Sequence, residues 1–463
     1  MFIRPNLLSP SLKHIVTRLF DIDARSLSAC RLGFGLLILW DLSARWLHAE
    51  FLYGPQGLLT HSLLVHQSLI VFSFLSALSM TLGVYTRTST FLTWALMLLL
   101  HRHNPAILDV GDSIIRLCLF WLSFLPTGSV WSWDTRHSPE RSHKIPLLAA
   151  MGLLLQVAFL IFFAGLAKLE GSMWRDGLAV QYALGDALWA LPLGKWLHEQ
   201  PNLCRLLTWF ILFAECLAPL LLFLPWKTHI GRIIAFSMLC GMFAGLGMCL
   251  NLGLISFAMI IALFPFIPKQ IWPVRFSISE SPKDISIGNF KRGTGILRDG
   301  ILTLLLGYIL LSNIDQMGYK SFLPSPVDRL GRHLRFNQGW WMYAPEPNVR
   351  NYTLTLRAQL KNGRLPYCQL DKLSTLNTKD PWPQLEMFSR NYRLRMYLYE
   401  NVALYPGSPE LNDFLKWIVQ HWNSRTDSDN NIISLSLMQI YHVRSFGPGS
   451  QPTAPSLIAI WPK

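Results

Sequence analysis

The length of the apolar runs is the first constraint on this chain. Several approach twenty residues with few charges, enough for a helix to cross the hydrocarbon core of a bilayer. A backbone in hydrocarbon must satisfy its own hydrogen bonds, and a helix does so within one segment. Nine such stretches are read, at about 28–47, 63–83, 88–103, 111–127, 146–168, 203–225, 228–248, 250–268 and 298–313. Only 15% of the 463 residues are charged and 51% are hydrophobic, whereas soluble domains are about a quarter charged. The expected fold class is a polytopic α-helical membrane protein of about nine spans with a small C-terminal α+β extramembrane domain.

The ends of the chain differ from its middle. Residues 1–26 are basic and amphipathic, with Arg4, Lys13, Arg18 and Arg25 beside Leu12, Ile15, Val16, Leu19 and Phe20. They read as an interfacial helix. The transmembrane part takes residues 27–319 and the C-terminal domain 320–463. In that last part Tyr352, Leu354 and Leu356 alternate with Thr353, Thr355 and Arg357, the period of a half-buried strand. Lys361-Asn362-Gly363 is a turn, with a return strand expected over 365–370. Helices are expected over 390–404 and from Ser408 to about His421, and a last strand over 432–445.

The net charge of +14 lies between the apolar runs, where the positive-inside bias accounts for it without nucleic acid. With the N-terminus inside, the inner segments hold Arg4, Lys13, Arg18, Arg25, Arg87, Arg136, Arg141, Lys144, Lys227, Arg232 and the basic residues from Lys269 to Arg292. The outer ones hold Arg45, Arg102, Lys168, Arg175, Lys195 and Arg205. This orientation makes the N-terminus cytoplasmic and puts Lys168 and the C-terminal domain on the outer side. No CxxC pair, GxSxG, Walker-type loop or HExxH occurs, and no metal site is expected.

Ionisable residues inside apolar runs are costly and mark either packing pairs or polar cavities. Arg31, Asp41 and Arg45 lie in the first run, and the i,i+4 spacing of Asp41 and Arg45 suits a pair. Asp112 and Arg116 repeat that spacing. Glu215 has no basic residue four positions away, so it is protonated, paired with another helix or facing a water-filled cavity. Lys168 ends the fifth run, followed by Trp174 and Asp176. It is an interfacial anchor with a snorkelling ammonium, or a base in a membrane-embedded site. His103 follows His101 at a spacing that makes no helical zinc motif.

Several stretches carry a family resemblance. They are Phe20-Asp21-Ile22-Asp23 with Arg31-Leu32-Gly33-Phe34-Gly35 and Trp40-Asp41-Leu42; Tyr53-Gly54-Pro55-Gln56-Gly57; Gly111-Asp112; Trp131-Ser132-Trp133-Asp134; Phe163-Ala164-Gly165-Leu166-Ala167-Lys168-Leu169; and Gln338-Gly339-Trp340-Trp341 through Pro347. These resemble the HTTM family, the membrane domain shared with vitamin K-dependent gamma-carboxylase. The resemblance implies a multi-span enzyme of the carboxy-lyase class in a bacterial inner membrane. Lys168 would be the base that deprotonates a reduced vitamin K-type quinone, with carbon dioxide added to a glutamate of a secreted peptide or protein. Trp174, Asp176, Glu215 and His103 would belong to the pocket. The sequence departs from the carboxylases at Phe243, where they carry a histidine, and His103 is only a neighbour of the place of another. Two alternatives stand beside the enzyme: a non-enzymatic membrane factor that binds or matures a secreted partner through 320–463, and a transporter. Against the latter count the lack of repeat halves and the sizeable C-terminal domain.

Overall fold

The computed structural model describes residues 10–49, 52, 63–137, 145–186, 188–273, 294–318, 322–340, 342–369, 391–398, 409–424, 426–443 and 456–462. The stretch Tyr53-Gly54-Pro55-Gln56-Gly57, the basic residues Arg141, Lys144, Arg275, Lys283, Lys291 and Arg292, and positions 399–404 lie outside the described residues.

The apolar runs form helices. These are α1 (Pro10–Leu19), α2 (Ala24–Leu47), α3 (Leu63–Leu82), α4 (Thr86–His103), α5 (Val110–Leu122), α6 (Leu147–Leu169), the short α7 (Ser172–Arg175), α8 (Ala179–Leu184) and α9 (Pro192–His198), then α10 (Pro201–Leu221), α11 (Thr228–Cys249), α12 (Ile255–Ala262) and α13 (Thr294–Gln316). Among the described residues six helical stretches are long and apolar enough to cross a membrane: His14–Leu47, Leu64–Leu82, Leu147–Leu169, Pro201–Leu221, Thr228–Cys249 and Leu297–Gln316. The other three expected spans are helical but do not meet that measure. α4 opens on Thr86, Arg87, Thr88, Ser89 and Thr90 and closes on His101-Arg102-His103. The 13 residues of α5 rise about 20 Å, short of a hydrocarbon core of about 30 Å. α12 has 8 residues before Pro265 interrupts it.

Local chemistry sets the helix boundaries. Asp23 caps α2 by accepting from the Arg25 amide at 2.8 Å. Asp109 and Asp112 form a reciprocal capping box at the start of α5, with bonds of 2.8 and 2.9 Å. Asp109 also accepts the Leu254 amide at 3.1 Å, which joins α5 to the start of α12. At one end of the bundle the Arg232 guanidinium of α11 donates to the carbonyls of Leu19 and Asp21, each at 2.7 Å, so the break between α1 and α2 is held. The end of α2, the start of α5 and the end of α6 gather at the opposite end, where the C-terminal region also docks.

After α13 a short helix α14 (Ser325–His333) precedes strands β1 (Arg350–Leu360) and β2 (Tyr367–Gln369). Helices α15 (Tyr392–Met396) and α16 (Pro409–Asn423) follow, then β3 (Ile432–Val443) and β4 (Ser456–Trp461). The four strands form one antiparallel sheet in the order β2-β1-β3-β4. Register places Leu356 opposite Leu437 and Ala358 opposite Leu435, so their buried side chains share a face. α16 packs on the sheet, burying Leu411, Phe414, Leu415 and Ile418 in the same core. The strands expected near 352–357, 365–370 and 432–445 are present, and β4 is an added edge strand.

Candidate functional site

Lys168 is the penultimate residue of α6 and is 4% exposed. Its Nζ donates to Oε2 of Glu215 on α10 at 2.7 Å. The two helices approach closely there because Gly165 has no side chain: a Cβ would lie 3.0 Å from Cys216 Sγ and from Glu215. An interfacial anchor keeps its ammonium in water. Lys168 instead turns inward and holds a carboxylate, which also resolves the three options open for Glu215 in favour of a partner on another helix.

The segment after Lys168 folds over the pair. Nζ lies 5.4 Å from the centroid of the Trp174 ring, within cation–π range. The buried Trp174 is fixed by its indole N–H, which donates to the Tyr343 carbonyl at 2.8 Å. Glu346 completes the clamp: its Oε1 accepts the Ser172 amide and hydroxyl, each at 2.8 Å, and the Met173 amide at 3.3 Å. The Ser172 hydroxyl and Met173 amide hold the Glu346 carboxyl below its usual range. Gly171 permits this approach, since a Cβ would meet the Pro345 carbonyl oxygen at 1.9 Å. Of the expected pocket residues, Trp174 and Glu215 therefore meet Lys168. Asp176 is exposed at the end of α7. His103 packs on His66, with ring centroids 4.8 Å apart.

A second polar centre lies in the bundle. Arg45 donates to Asp41 and to Asp112, both at 2.8 Å. Arg393 of α15 enters the same place, contacting Asp41 at 2.6 and 3.0 Å and Asp112 at 2.7 and 2.9 Å. The Asp41–Arg45 pair thus forms as its spacing suggests, and the Asp112–Arg116 pair does not. The capping box turns the Asp112 carboxylate back over the start of α5, where Arg45 and Arg393 take it. Arg116 instead reaches His101 Nδ1 at 3.0 Å and the Arg335 carbonyl at 3.2 Å. Arg31 donates to the carbonyls of Met80 and Trp131.

Sequence reasoning missed Arg393, Glu346 and a buried amide cluster. In that cluster Gln156 and Gln338 exchange bonds of 2.9 and 3.0 Å, and Asn313 joins at 3.1 Å. A charge count gave no signal for Arg393, because in sequence Asp41 and Asp112 each have an arginine four positions on and the two pairs balance.

Apolar helices around a buried lysine–glutamate pair and a four-arm aspartate–arginine centre define a multi-pass integral membrane protein. The HTTM domain model matches residues 20–272, more than half of the chain. The chain belongs to the HTTM family, whose domain is that of vitamin K-dependent gamma-carboxylase. No curated protein and no solved structure matches it. The matched range contains Lys168, Trp174, Glu215, Asp41, Arg45 and Asp112, whereas Arg393 and Glu346 come from outside it.

Proposed function

We propose that this protein is a membrane enzyme related to gamma-carboxylase in which Lys168 and Glu215 form the acid–base unit. The observation that carries this reading is the 2.7 Å contact between the two inside the bundle. Transfer of the proton from Lys168 to Glu215 removes two charges from a water-poor site and leaves a neutral amine, the form that acts as a base. Trp174 then bounds the amine with an aromatic face and keeps its direction fixed.

These groups fit a reduced vitamin K-type quinone. The Lys168 amine, its own proton already on Glu215, would accept the proton of a phenolic hydroxyl; Glu215 would hold the amine in place, and the Trp174 ring would face the aromatic nucleus. When bound, such a group supplies an oxygen-reactive hydroquinone. Phe243 is buried in the apolar core and offers no proton transfer. The reading therefore favours hydroquinone-dependent chemistry, with glutamate carboxylation of a secreted peptide or protein as its narrower form. It includes nine crossings, a cytoplasmic N-terminus, an outward-facing C-terminal domain and residence in a bacterial inner membrane.

A second reading is a non-enzymatic factor that binds or matures a secreted partner. It is favoured by the same contact, because Glu215 already satisfies Lys168 and joins α6 to α10. Oxygen uptake dependent on a reduced vitamin K-type quinone, measured with the full chain in bilayers, separates the two. Loss of uptake in Lys168→Ala, in protein that still inserts and folds, supports the enzyme. Uptake undiminished in that variant, or absent from the unsubstituted protein, supports the factor.

A further inference from the structure

The exposed apolar residues of α13 form a stripe at Leu297, Ile301 and Leu304, the last of them 77% exposed. Their spacing of four and three keeps them on one helix face. In a spanning helix such a face is directed at lipid. Tyr308 continues the same stripe but is buried. What covers it is α14: a Cβ on Gly331 would lie 1.9 Å from the Tyr308 hydroxyl oxygen, so the two helices touch there. Tyr308 sits eight residues before Gln316, the last residue of α13, which is about 12 Å along the axis. α14 therefore returns to the lipid-facing side of α13 and meets it at the Gly331–Tyr308 contact.

The return is held at both ends. The Asp315 carboxylate accepts the amides of Phe322 at 2.8 Å and Leu323 at 3.2 Å, turning the chain after α13. At the far end Arg335 has φ 53° and the Phe336 amide donates to the Gly331 carbonyl at 2.8 Å, a left-handed helix stop. Phe336 then enters the bundle against Phe120, at 5.0 Å between centroids.

α14 itself is divided into two faces. Val327, Leu330 and Leu334 lie on one side, and Val327 and Leu330 are 42% and 60% exposed. Asp328, Arg329, Arg332 and His333 lie on the other, with Arg332 paired to Asp328. An apolar face this open would be a liability in water. Beside the lipid-facing stripe of α13 it continues a surface already directed at acyl chains, and the opposite face carries Arg329 and Arg332.

We propose that α14 is an interfacial helix seated in the phospholipid headgroup region, its Val327–Leu330–Leu334 face in the acyl boundary and Arg329 and Arg332 toward lipid phosphate. The C-terminal region is thereby held at a fixed height over the bilayer by lipid as well as by Arg393. This does not depend on the chemistry at Lys168.

The test uses the full chain in phosphatidylcholine nanodiscs, with photoreactive benzoyl-phenylalanine in place of Leu330 or, separately, of Arg329. Irradiation is expected to give lipid adducts at 330 in several-fold excess over 329. Equal adducts at both positions, none at 330, or adducts with another protein chain overturn the proposal. As a second measurement, Val327→Asp combined with Leu330→Asp is expected to raise amide exchange over 325–334 many-fold and to leave α13 unchanged. Unaltered exchange over 325–334 also overturns it.

Discussion

Arg393 and Asp112 lie 281 residues apart and meet through two hydrogen bonds of 2.7 and 2.9 Å. With Asp41 and Arg45 they balance two carboxylates against two guanidinium groups in a place closed to solvent. Arg393→Ala removes one cation and leaves a net negative charge buried. Breaking a buried pair from one side costs about 3–5 kcal/mol. Thermal unfolding in nanodiscs is expected to shift down by a corresponding amount, with Arg393→Lys falling between because it loses the forked geometry. An unchanged unfolding temperature in Arg393→Ala would contradict the role given to this centre.

Lys168 and Glu215 permit a sharper separation of stability from chemistry. Lys168→Ala alone strands a buried carboxylate and is expected to cost about 3–5 kcal/mol as well. The double change Lys168→Met with Glu215→Leu removes both charges at similar volume and is expected to restore most of that loss. Activity, on the enzyme reading, stays absent in the double variant despite the recovered fold. Recovery of quinone-dependent oxygen uptake along with stability would sink the acid–base assignment.

Glu346 holds the segment that carries Trp174, and its effect has a defined pH direction. Its folded carboxyl lies below the ordinary value of 4.5. Its contribution is therefore complete above that value and is lost as pH falls through the lower folded one. Protection of the Ser172 and Met173 amides, taken relative to their intrinsic exchange, is expected to fall in acid and to be low at neutral pH in Glu346→Gln. Protection at those two amides that stays level from neutral to acid pH would be inconsistent with the clamp.

Gly171→Ala tests the same contact by sterics alone. Its Cβ would stand 1.9 Å from the Pro345 carbonyl oxygen, which is backbone and must move. A cost of about 1–3 kcal/mol is expected, along with increased exposure of Trp174 to an aqueous quencher. No change in quenching would mean that 343–346 and 171–174 separate freely.

The helical architecture was legible because hydropathy over long windows reports burial in lipid or protein directly. Six of the nine expected crossings have the length and hydropathy of a span, whereas α4, α5 and α12 are apolar helices without both. Within the site, the Asp41–Arg45 spacing was readable because both lie on one helix face. Asp112 misled because a capping box and an i,i+4 pair share the same residue, and hydropathy does not say which way its carboxylate turns. Glu215 needed a partner by energetics, but choosing Lys168 required knowing that α6 and α10 cross at Gly165. Arg393 sits in an unremarkable Tyr-Arg-Leu-Arg-Met stretch, and only tertiary structure brings it to Asp112. β1, β2 and β3 followed from period-two alternation or a turn, whereas β4 is short and lacks a hairpin signal of its own.

The exchange of bonds between Gln156 and Gln338 also bears on how the protein is made. Residues separated by 182 positions satisfy each other inside the bundle, and Arg393 completes a centre begun at Asp41, 352 positions earlier. Neither set of groups is satisfied while the ribosome is still translating the spans. The helices must enter the membrane with open polar sites and wait for Gln338 and Arg393, which follow the last apolar helix in sequence. Docking of the segments that carry Gln338 and Arg393, rather than insertion of the last helix, completes both sets.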